Sequence, residues 1–320
     1  MKSETKNRLC AGRAGMMMIE LLISSLIASM LLLGLTGALV LPVRIYHVTD
    51  DLNYASSKAE TVFSILRHPA ELCGYGLPKN ASGYKSAFGI NKDPFKWDGP
   101  VSIGAVTAGS PKGKRENASL KIAYAVRYFV RTMDEAVISP GVSELKVSGK
   151  PSAIGYEDEN TGPAVTDWLL FGSMLPCLRP LSIRGRPAEN PDGTVNLPVI
   201  FSPDEANERL VIPENEELYG FRVMECRAQK TETDFVFFTN DHTGSGLQPR
   251  VDGVVDVRFE LREGRLLDVY VLTRGRRRYD RAVSLNTPRG WPEKYAQTIP
   301  EEARYYRLTA SRASFELKNF

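Results

Sequence analysis

The stretch "AGRAGMMMIELLISS", residues 11–25, contains the residue whose type and position most clearly call for a chemical explanation. Glu20 is the only ionisable side chain from Met16 to Val43, in an otherwise apolar run. A carboxylate inside a bilayer costs about 2.5–3.5 kcal/mol on insertion scales. Opposite charges in a low dielectric attract strongly and offset part of that cost. Glu20 therefore either pairs with a cation or is a charge tolerated near the membrane edge.

The element that carries Glu20 is long enough to span a membrane. The run from 16 to 43 contains no Lys or Arg. As a helix it would measure about 42 Å, against about 30 Å for a hydrocarbon core. The basic residues that precede it favour a cytoplasmic N-terminus. They are Lys2, Lys6, Arg8 and Arg13.

Three explanations of this segment compete. A cleaved secretory signal would end near Thr36-Gly37-Ala38, but its apolar region is usually about 7–15 residues long and uncharged. A plain single-span anchor explains the length and the orientation but leaves Glu20 unexplained. The third explanation, which we favour, accounts for the charge through a family resemblance.

A basic leader, Gly15, an apolar residue, Glu20 and then a long apolar helix resemble the N-terminus of a type IV prepilin. The resemblance implies cleavage between Gly15 and Met16 by the prepilin peptidase, which also N-methylates Met16. Glu20 becomes the fifth mature residue, with roles in assembly and methylation. There it can meet a Met16 ammonium of its own or of a neighbouring subunit. Met16 departs from the family pattern, which usually has Phe at this position.

The apolar pattern continues beyond the span as an amphipathic helix. Spacings of three and four predict one buried stripe. Its members are Ile45, Val48, Leu52, Ala55, Ala59, Val62 and Leu66. We expect the helix to run from Met16 to about residue 67 and to end at His68-Pro69, because a residue before proline avoids helix.

The rest of the chain has the pattern of a β-rich domain. Runs of strand length occur at 120–130, 166–175, 209–213, 218–226 and 233–240. Residues 77–118 are expected to be irregular loop, and 183–208 a long connection. Residues 254–261 and 266–273 predict a hairpin with one buried face, which carries Val255, Val257, Phe259 and Leu261. The C-terminal alternation changes phase, which predicts a bulge or tight turn near 311–312.

"ELCGYGLP" (71–78), "VDGVVDVRFEL" (251–261) and the closing "FELKNF" resemble PilW-like minor pilins and the related J-type minor pseudopilins of type II secretion. The resemblance implies an α+β, pilin-like fold with a long N-terminal helix packed on an antiparallel sheet. The expected parts are a leader (1–15), a transmembrane and assembly helix (16–43), its amphipathic continuation (44–67) and a globular domain (68–320).

Cysteines and polar clusters give weaker expectations. Cys10 leaves with the leader, and we expect Cys177 to pair with Cys226, with Cys73 as an alternative partner for either. The spacing does not suit zinc, and no cofactor or metal is expected. "RGRRR" (274–278) is expected to be a solvated turn, with contact to acidic lipid, DNA or an acidic partner as alternatives. "EDEN" (157–160), "NPDGTVN" (190–196) and "TNDHTG" (239–244) fit turns better than calcium loops.

The charge distribution bears on function. The first fifteen residues carry a net charge of +3 and the remainder is neutral, which argues against a nucleic-acid partner. The expected function is that of a non-enzymatic minor pilin, at the inner membrane before assembly and in a surface pilus or periplasmic filament afterwards. Its partners would be the prepilin peptidase, other pilins, the inner-membrane assembly platform and the bilayer. The alternatives are a type II secretion minor pseudopilin and a membrane-anchored hydrolase or binding domain.

Overall fold

The computed structural model describes residues 4–75, 99–108, 115–149, 168–171, 181–183, 185–201, 209–241 and 246–318. Along the N-terminal helix, side chains are described from Met18 onward. The chain divides into two compact units, Met1–Asn53 and Tyr54–Phe320. The first unit holds the N-terminal part of the helix, and the second holds the rest of the helix together with the strands.

The described residues form one long α-helix, fifteen strands and two short 3-10 helices that precede the last strand. The helix is α1 (Glu4–Glu71). The strands are β1 (Val101–Ala108), β2 (Arg115–Arg131), β3 (Ala136–Ile138), β4 (Gly141–Val147), β5 (Trp168–Phe171), β6 (Leu181–Ile183), β7 (Ala188–Glu189), β8 (Val195–Phe201), β9 (Leu210–Ile212), β10 (Glu217–Lys230), β11 (Phe235–Asn240), β12 (Gln248–Asp252), β13 (Val254–Arg262), β14 (Leu266–Arg278) and β15 (Tyr306–Glu316).

Helix α1 extends beyond both of its expected ends. It begins at Glu4 rather than near Met16, and it passes through Pro69. The Leu72 N–H donates to the His68 carbonyl at 3.2 Å and holds this last turn. The turn persists because it carries the apolar stripe further into the core, where Ala70 and Cys73 are fully buried. This packing compensates for the hydrogen bond that the proline cannot make.

The predicted stripe is confirmed over the part of α1 that lies in the second unit. Ala55, Ala59, Val62 and Leu66 are all 0% exposed. Ile45 and Leu52, in the first unit, are 57% and 42% exposed, so the buried stripe begins at Ala55. Residues from both larger sheets cover it, among them Leu120, Ile122, Cys226, Phe237, Val257, Phe259, Leu267 and Val269.

Every strand pairing in the described residues is antiparallel. A ten-stranded sheet has the order β1-β2-β10-β5-β6-β8-β4, with β11 and β12 extending from β10 and β7 pairing with β8. β13, β14 and β15 form a second sheet, and β3 and β9 a third. This confirms the α+β class with antiparallel sheets. The expected loop 77–118 instead contains β1 and the start of β2, and the expected connection 183–208 contains β7 and β8.

A second core lies away from the helix, at the end of the large sheet that includes β4 and β8. Its centre is formed by Tyr128, Leu145, Ile183, Leu197 and Leu218. Gly220 in β10 allows the Tyr128 ring to approach, because a Cβ there would lie 2.1 Å from the Tyr128 Oη. The close approach of this ring explains why β10 carries a glycine at that position.

The predicted hairpin of β13 and β14 is confirmed. At its turn Glu263 and Gly264 have φ of 54° and 67°, and the Arg265 N–H donates to the Arg262 carbonyl at 3.1 Å. Positive φ at both central residues is the type I′ geometry that suits tight hairpins.

The prediction of a single buried face on this hairpin is wrong. A register shift between Val254 and Asp256 turns Val255 to the opposite face from Val257 and Phe259. That opposite face is covered by the segment that contains two 3-10 helices, Glu293–Thr298 and Glu301–Tyr305. Val255 packs there with Tyr270, Leu272, Trp291, Ile299 and Ala303.

The bulge predicted near 311–312 is absent from β15. Its register with β14 runs without interruption from Leu308 opposite Arg274 to Glu316 opposite Leu266. In the sequence, the apolar alternation along β15 changes phase because both faces of the three-stranded sheet are covered. Leu308 and Ala310 pack on the Trp291 side, whereas Phe315 packs on the helix side.

Two buried aspartates lie in the three-stranded sheet, and both are satisfied by cations and hydroxyls. Asp256 accepts from Arg258 at 3.1 Å and from the Thr298 hydroxyl at 2.7 Å. Asp268, with 0% of its side chain exposed, pairs with Arg262 and Arg312 and accepts from Ser314. Burial alone would raise the pKa of Asp268, but these hydrogen bonds and charges lower it.

Candidate functional site

The residues expected to be processed lie inside helix α1. Gly15 and Met16 fall within the Glu4–Glu71 range, and the structure does not describe their side chains. Glu20 is exposed on the helix. The large apolar side chains that surround it along the segment are exposed as well, from Met18 at 66% to Val43 at 50%. The structure thus places Glu20 on a helix segment that offers apolar surface all round.

This segment has the properties of a membrane span. In the described residues, the range Met18–Glu71 contains the one helix long and apolar enough to cross a membrane by length and composition. Hydroxyls along it are satisfied internally: Ser25 donates to the Leu22 carbonyl at 2.9 Å and Thr36 to the Leu33 carbonyl at 3.0 Å. Internal satisfaction of polar groups is what a lipid environment requires.

The glycines of the span, Gly34 and Gly37, have open space beside them. A Cβ at either position would meet nothing within 4 Å. Within one chain, therefore, no close approach requires a glycine here. A softened helix and close packing against another helix through small residues would each account for glycine at these positions.

The alternative Cys73–Cys226 pairing does not form, and the expected Cys177–Cys226 pairing stays a prediction because it involves a residue outside the described part of the chain. Cys73 and Cys226 are buried free thiols. Cys177 lies outside the described residues. Cys226 packs in the core between α1 and the large sheet, where burial raises its pKa and raises that of Cys73 to about 12. Both thiols are therefore protonated and shielded at neutral pH.

"RGRRR" is a strand end rather than a solvated turn. It forms the last five residues of β14. The Arg274 guanidinium makes a two-point ion pair with Asp234, with Nε and Nη2 each 2.8 Å from a carboxylate oxygen, and it lies 4.5 Å from the Tyr306 ring centroid. The β14–β15 pairing shifts register within this run, from Arg274 opposite Leu308 to Arg278 opposite Tyr306.

Tyr54 joins α1 to the large sheet beside this basic run. Its hydroxyl donates to Asp252 Oδ2 at 2.9 Å, and Lys58 forms an ion pair with the same carboxylate. Lys58 Nζ and Arg276 Cζ each lie 5.0 Å from the Tyr54 ring centroid. Burial and the hydrogen bond to Asp252 raise the pKa of Tyr54, so the phenol stays neutral.

One of the oxygen-rich segments forms a turn, and the described part of another lies at the end of strand β11. In "NPDGTVN", Asp192 Oδ1 accepts from the Thr194 N–H at 2.9 Å and from its hydroxyl, which lowers the pKa of Asp192. Asp241 of "TNDHTG" pairs with Arg250. "EDEN" lies outside the described residues. No group of three or more metal-ligating side chains occurs in the described part of the chain.

Phe129 is a surface feature that the sequence did not indicate. It has a φ of 58°, unusual for a bulky residue, and is 77% exposed. It lies where the pairing of β2 with β10 passes from Arg127 opposite Tyr219 to Arg131 opposite Glu217, so β2 carries extra residues. The Arg127 guanidinium lies 5.3 Å from its ring centroid. "VRYFV" reads as an ordinary strand, so no local signal could have revealed this bulge.

Comparison with known proteins adds no relative: no protein-family model, curated protein or solved structure matches the chain.

Proposed function

We propose that this chain is a PilW-like minor pilin, made as a prepilin and incorporated into a type IV pilus or a related filament. Its role would be to prime or cap assembly and to support adhesion, motility or DNA uptake, without catalysis of its own. The observation that carries the proposal is Glu20, the one charge on an exposed apolar helix, five residues after Gly15.

The organisation of α1 supports this proposal. The Met18–Val43 segment exposes apolar side chains all round, as lipid contact requires. The same helix, from Ala55 to Ala70, forms the centre of the main core of the globular unit. A helix that served only as a membrane tether would not need to form part of the core of the globular unit. In a filament subunit it would need to, because the same helix both binds neighbouring subunits and holds the globular unit.

The chemistry of assembly would follow from the position of Glu20. Cleavage after Gly15 gives Met16 a free ammonium, four residues before the carboxylate. In an apolar environment each charge is costly alone, and pairing offsets part of that cost. A new subunit would then be favoured where its N-terminus meets a Glu20 carboxylate. Exposure of Glu20 on the isolated subunit leaves it available for a neighbour.

Mass analysis of the mature N-terminus tests the proposal. We expect the protein purified from membranes of its native host to begin with N-methylated Met16. A chain that retains Met1, or one that begins after Ala38, would contradict it. A Gly15→Leu variant, which blocks the expected cleavage position without adding a charge, should accumulate at full length in the membrane.

A type II secretion minor pseudopilin is the second candidate, because the resemblance of the C-terminal hairpin and strand covers both groups. Both undergo the same processing, so the N-terminal mass cannot separate them. Cross-linking in intact cells, followed by identification of the neighbouring subunits, would separate them. Neighbours that belong to a secretion filament would replace the pilus assignment but leave the processing of Gly15–Met16 intact.

A further inference from the structure

The end of β14 and the segment after it form a basic surface that the neutral composition of the globular part conceals. Residues 274–281, "RGRRRYDR", contain five arginines and one aspartate. Arg274 is neutralised by Asp234. Arg276 and Arg278 are exposed, and within the described residues neither is recorded in an ion pair with a carboxylate.

Tyrosines from distant parts of the sequence lie against these arginines. Arg276 Cζ lies 5.0 Å from the Tyr54 ring centroid, and Arg278 Cζ lies 5.4 Å from that of Tyr305. The Tyr279 N–H donates to the Tyr305 carbonyl at 2.8 Å, which holds the segment after β14 beside the start of β15. We call these four residues, Tyr54, Arg276, Arg278 and Tyr305, the arginine–tyrosine surface.

We propose that the arginine–tyrosine surface binds the anionic headgroups of a phospholipid bilayer. Guanidinium groups bind phosphate oxygens through two parallel hydrogen bonds. Arginine and tyrosine are also the side chains that favour the boundary between lipid and water, where a ring can lie at headgroup level beside a charge.

The position of Tyr54 in the chain favours lipid over other anions. Tyr54 follows Val43 by eleven residues. Even fully extended, that length reaches only about 40 Å, so insertion of the apolar helix confines the surface to the neighbourhood of the same bilayer. The tether gives the headgroups a high effective concentration that no freely diffusing polyanion has. Single-stranded nucleic acid would need open aromatic faces for base stacking, whereas Tyr54 and Tyr305 each have a guanidinium close to the ring.

This proposal rests on membrane insertion of the apolar helix, and not on processing at Gly15 or on filament assembly. The mass of the mature N-terminus therefore neither supports nor contradicts this proposal. The test uses the full chain in lipid nanodiscs, either of neutral phosphatidylcholine or of a mixture with phosphatidylglycerol. Hydrogen–deuterium exchange of the peptide that covers residues 275–281 is followed by mass spectrometry at low and high salt.

We expect exchange in this peptide to be slower with the anionic lipid than with the neutral one, and the difference to vanish at about 1 M salt, where the screening length falls to about 3 Å. Each arginine near an anionic surface strengthens attachment about fivefold, so Arg276→Gln with Arg278→Gln should weaken it about 25-fold and abolish the protection. Replacement of both by Lys should keep most of it. The control pair Arg209→Gln with Arg265→Gln removes the same charge from exposed positions outside this surface and should keep it all.

Equal exchange in neutral and anionic nanodiscs would overturn the proposal. So would protection that the Arg276→Gln and Arg278→Gln double variant retains. If nanodiscs with phosphatidylglycerol give no protection, but a single-stranded oligonucleotide protects the same peptide in neutral nanodiscs, the surface would be assigned to nucleic acid instead. Thermal unfolding of each variant, unchanged from the parent, would show that any lost protection reflects lost binding.

Discussion

Gly220→Ala tests whether the second core is packed as the structure shows. Gly220 lies in β10, opposite Val126 of β2 on one side and opposite Leu169 of β5 on the other. A Cβ at this position would lie 2.1 Å from the Oη of Tyr128 and 2.3 Å from its Cζ. Since ordinary contacts begin near about 3.5 Å, the ring or the strand would have to move by more than about 1 Å.

Movement of either the Tyr128 ring or the Gly220 backbone would cost free energy of folding. Tyr128 is 3% exposed and packs with Leu145 and Leu218, while the backbone of Gly220 is held from both sides. Overpacking of a tight core costs about 1–3 kcal/mol, and we expect the upper end of that range. A loss of about 3 kcal/mol raises the unfolded fraction more than a hundredfold and lowers the Tm by about 6–12 °C in a domain of this size.

The assay is thermal unfolding of the full chain in detergent, followed by near-ultraviolet circular dichroism. Gly149→Ala is the matched control, because a Cβ there meets nothing within 4 Å, and its Tm should not change. In a Tyr128→Ala background, which removes the ring, Gly220→Ala should cost less than about 0.5 kcal/mol. An equal cost in both backgrounds, or no cost in the parent, would refute the packing argument.

Three further predictions concern assembly, acid stability and thiol reactivity. Glu20→Ala should leave membrane insertion intact but reduce incorporation into filaments, as measured by the amount of protein in sheared filaments; unchanged incorporation would contradict the proposed pairing. Asp268→Asn should lower the free energy of unfolding by about 2–3 kcal/mol at pH 7. Because the folded pKa of Asp268 is lowered, its contribution is complete above the unfolded pKa of about 3.9 and is lost as pH falls through the folded value, so parent and variant should converge in acid denaturation curves. Cys73 and Cys226 should resist alkylation at pH 8 until the chain is unfolded, as read by peptide mass spectrometry; labelling of the folded chain would contradict their burial.

Local periodicity sufficed to predict the elements whose partners lie next to them in the chain. The 3-4 stripe from Ala55 to Leu66 and the β13–β14 hairpin needed only their own side chains or a short turn. The end of α1 could not be predicted in the same way. Pro69 signals a stop, but the burial of Ala70 and Cys73 outweighs that signal, and burial depends on strands more than 40 residues away.

The strands that were missed carry residues that weaken a strand pattern until the partners are known. β8 contains Pro198, which cannot donate to a sheet. In the described residues the pairing on one side of β8 passes from β7, opposite Val195 and Asn196, to β6, opposite Val199 and Ile200. Pro198 falls in the gap between them, so it has no partner residue on that side, and on the other side it lies opposite Glu144 of β4. Only the three-dimensional arrangement reveals that this proline is compatible with a strand inside the sheet.

The site residues also differ in whether local sequence could indicate them. Gly15, Met16 and Glu20 are defined by spacing along one helix, so the sequence alone could indicate them. The arginine–tyrosine surface could not be found in that way, because Tyr54 and Tyr305 are about 220 and 30 residues from the arginines that they contact. In the sequence itself, the one aromatic residue adjacent to "RGRRR" is Tyr279.

The neutral charge of the globular part is an average that hides this surface. Several arginines elsewhere in the second unit pair with carboxylates on the same or a neighbouring strand, as in the pairs Arg127–Glu217, Arg258–Asp256 and Arg262–Asp268. In these pairs a carboxylate of the sheets neutralises the arginine, whereas Arg276 and Arg278 at the end of β14 are exposed. Net charge therefore excludes a protein that is basic throughout, but it cannot exclude a local anion-binding surface. For a chain tethered to a bilayer by its own helix, a local surface suffices, because the tether supplies the proximity that an overall charge would otherwise provide.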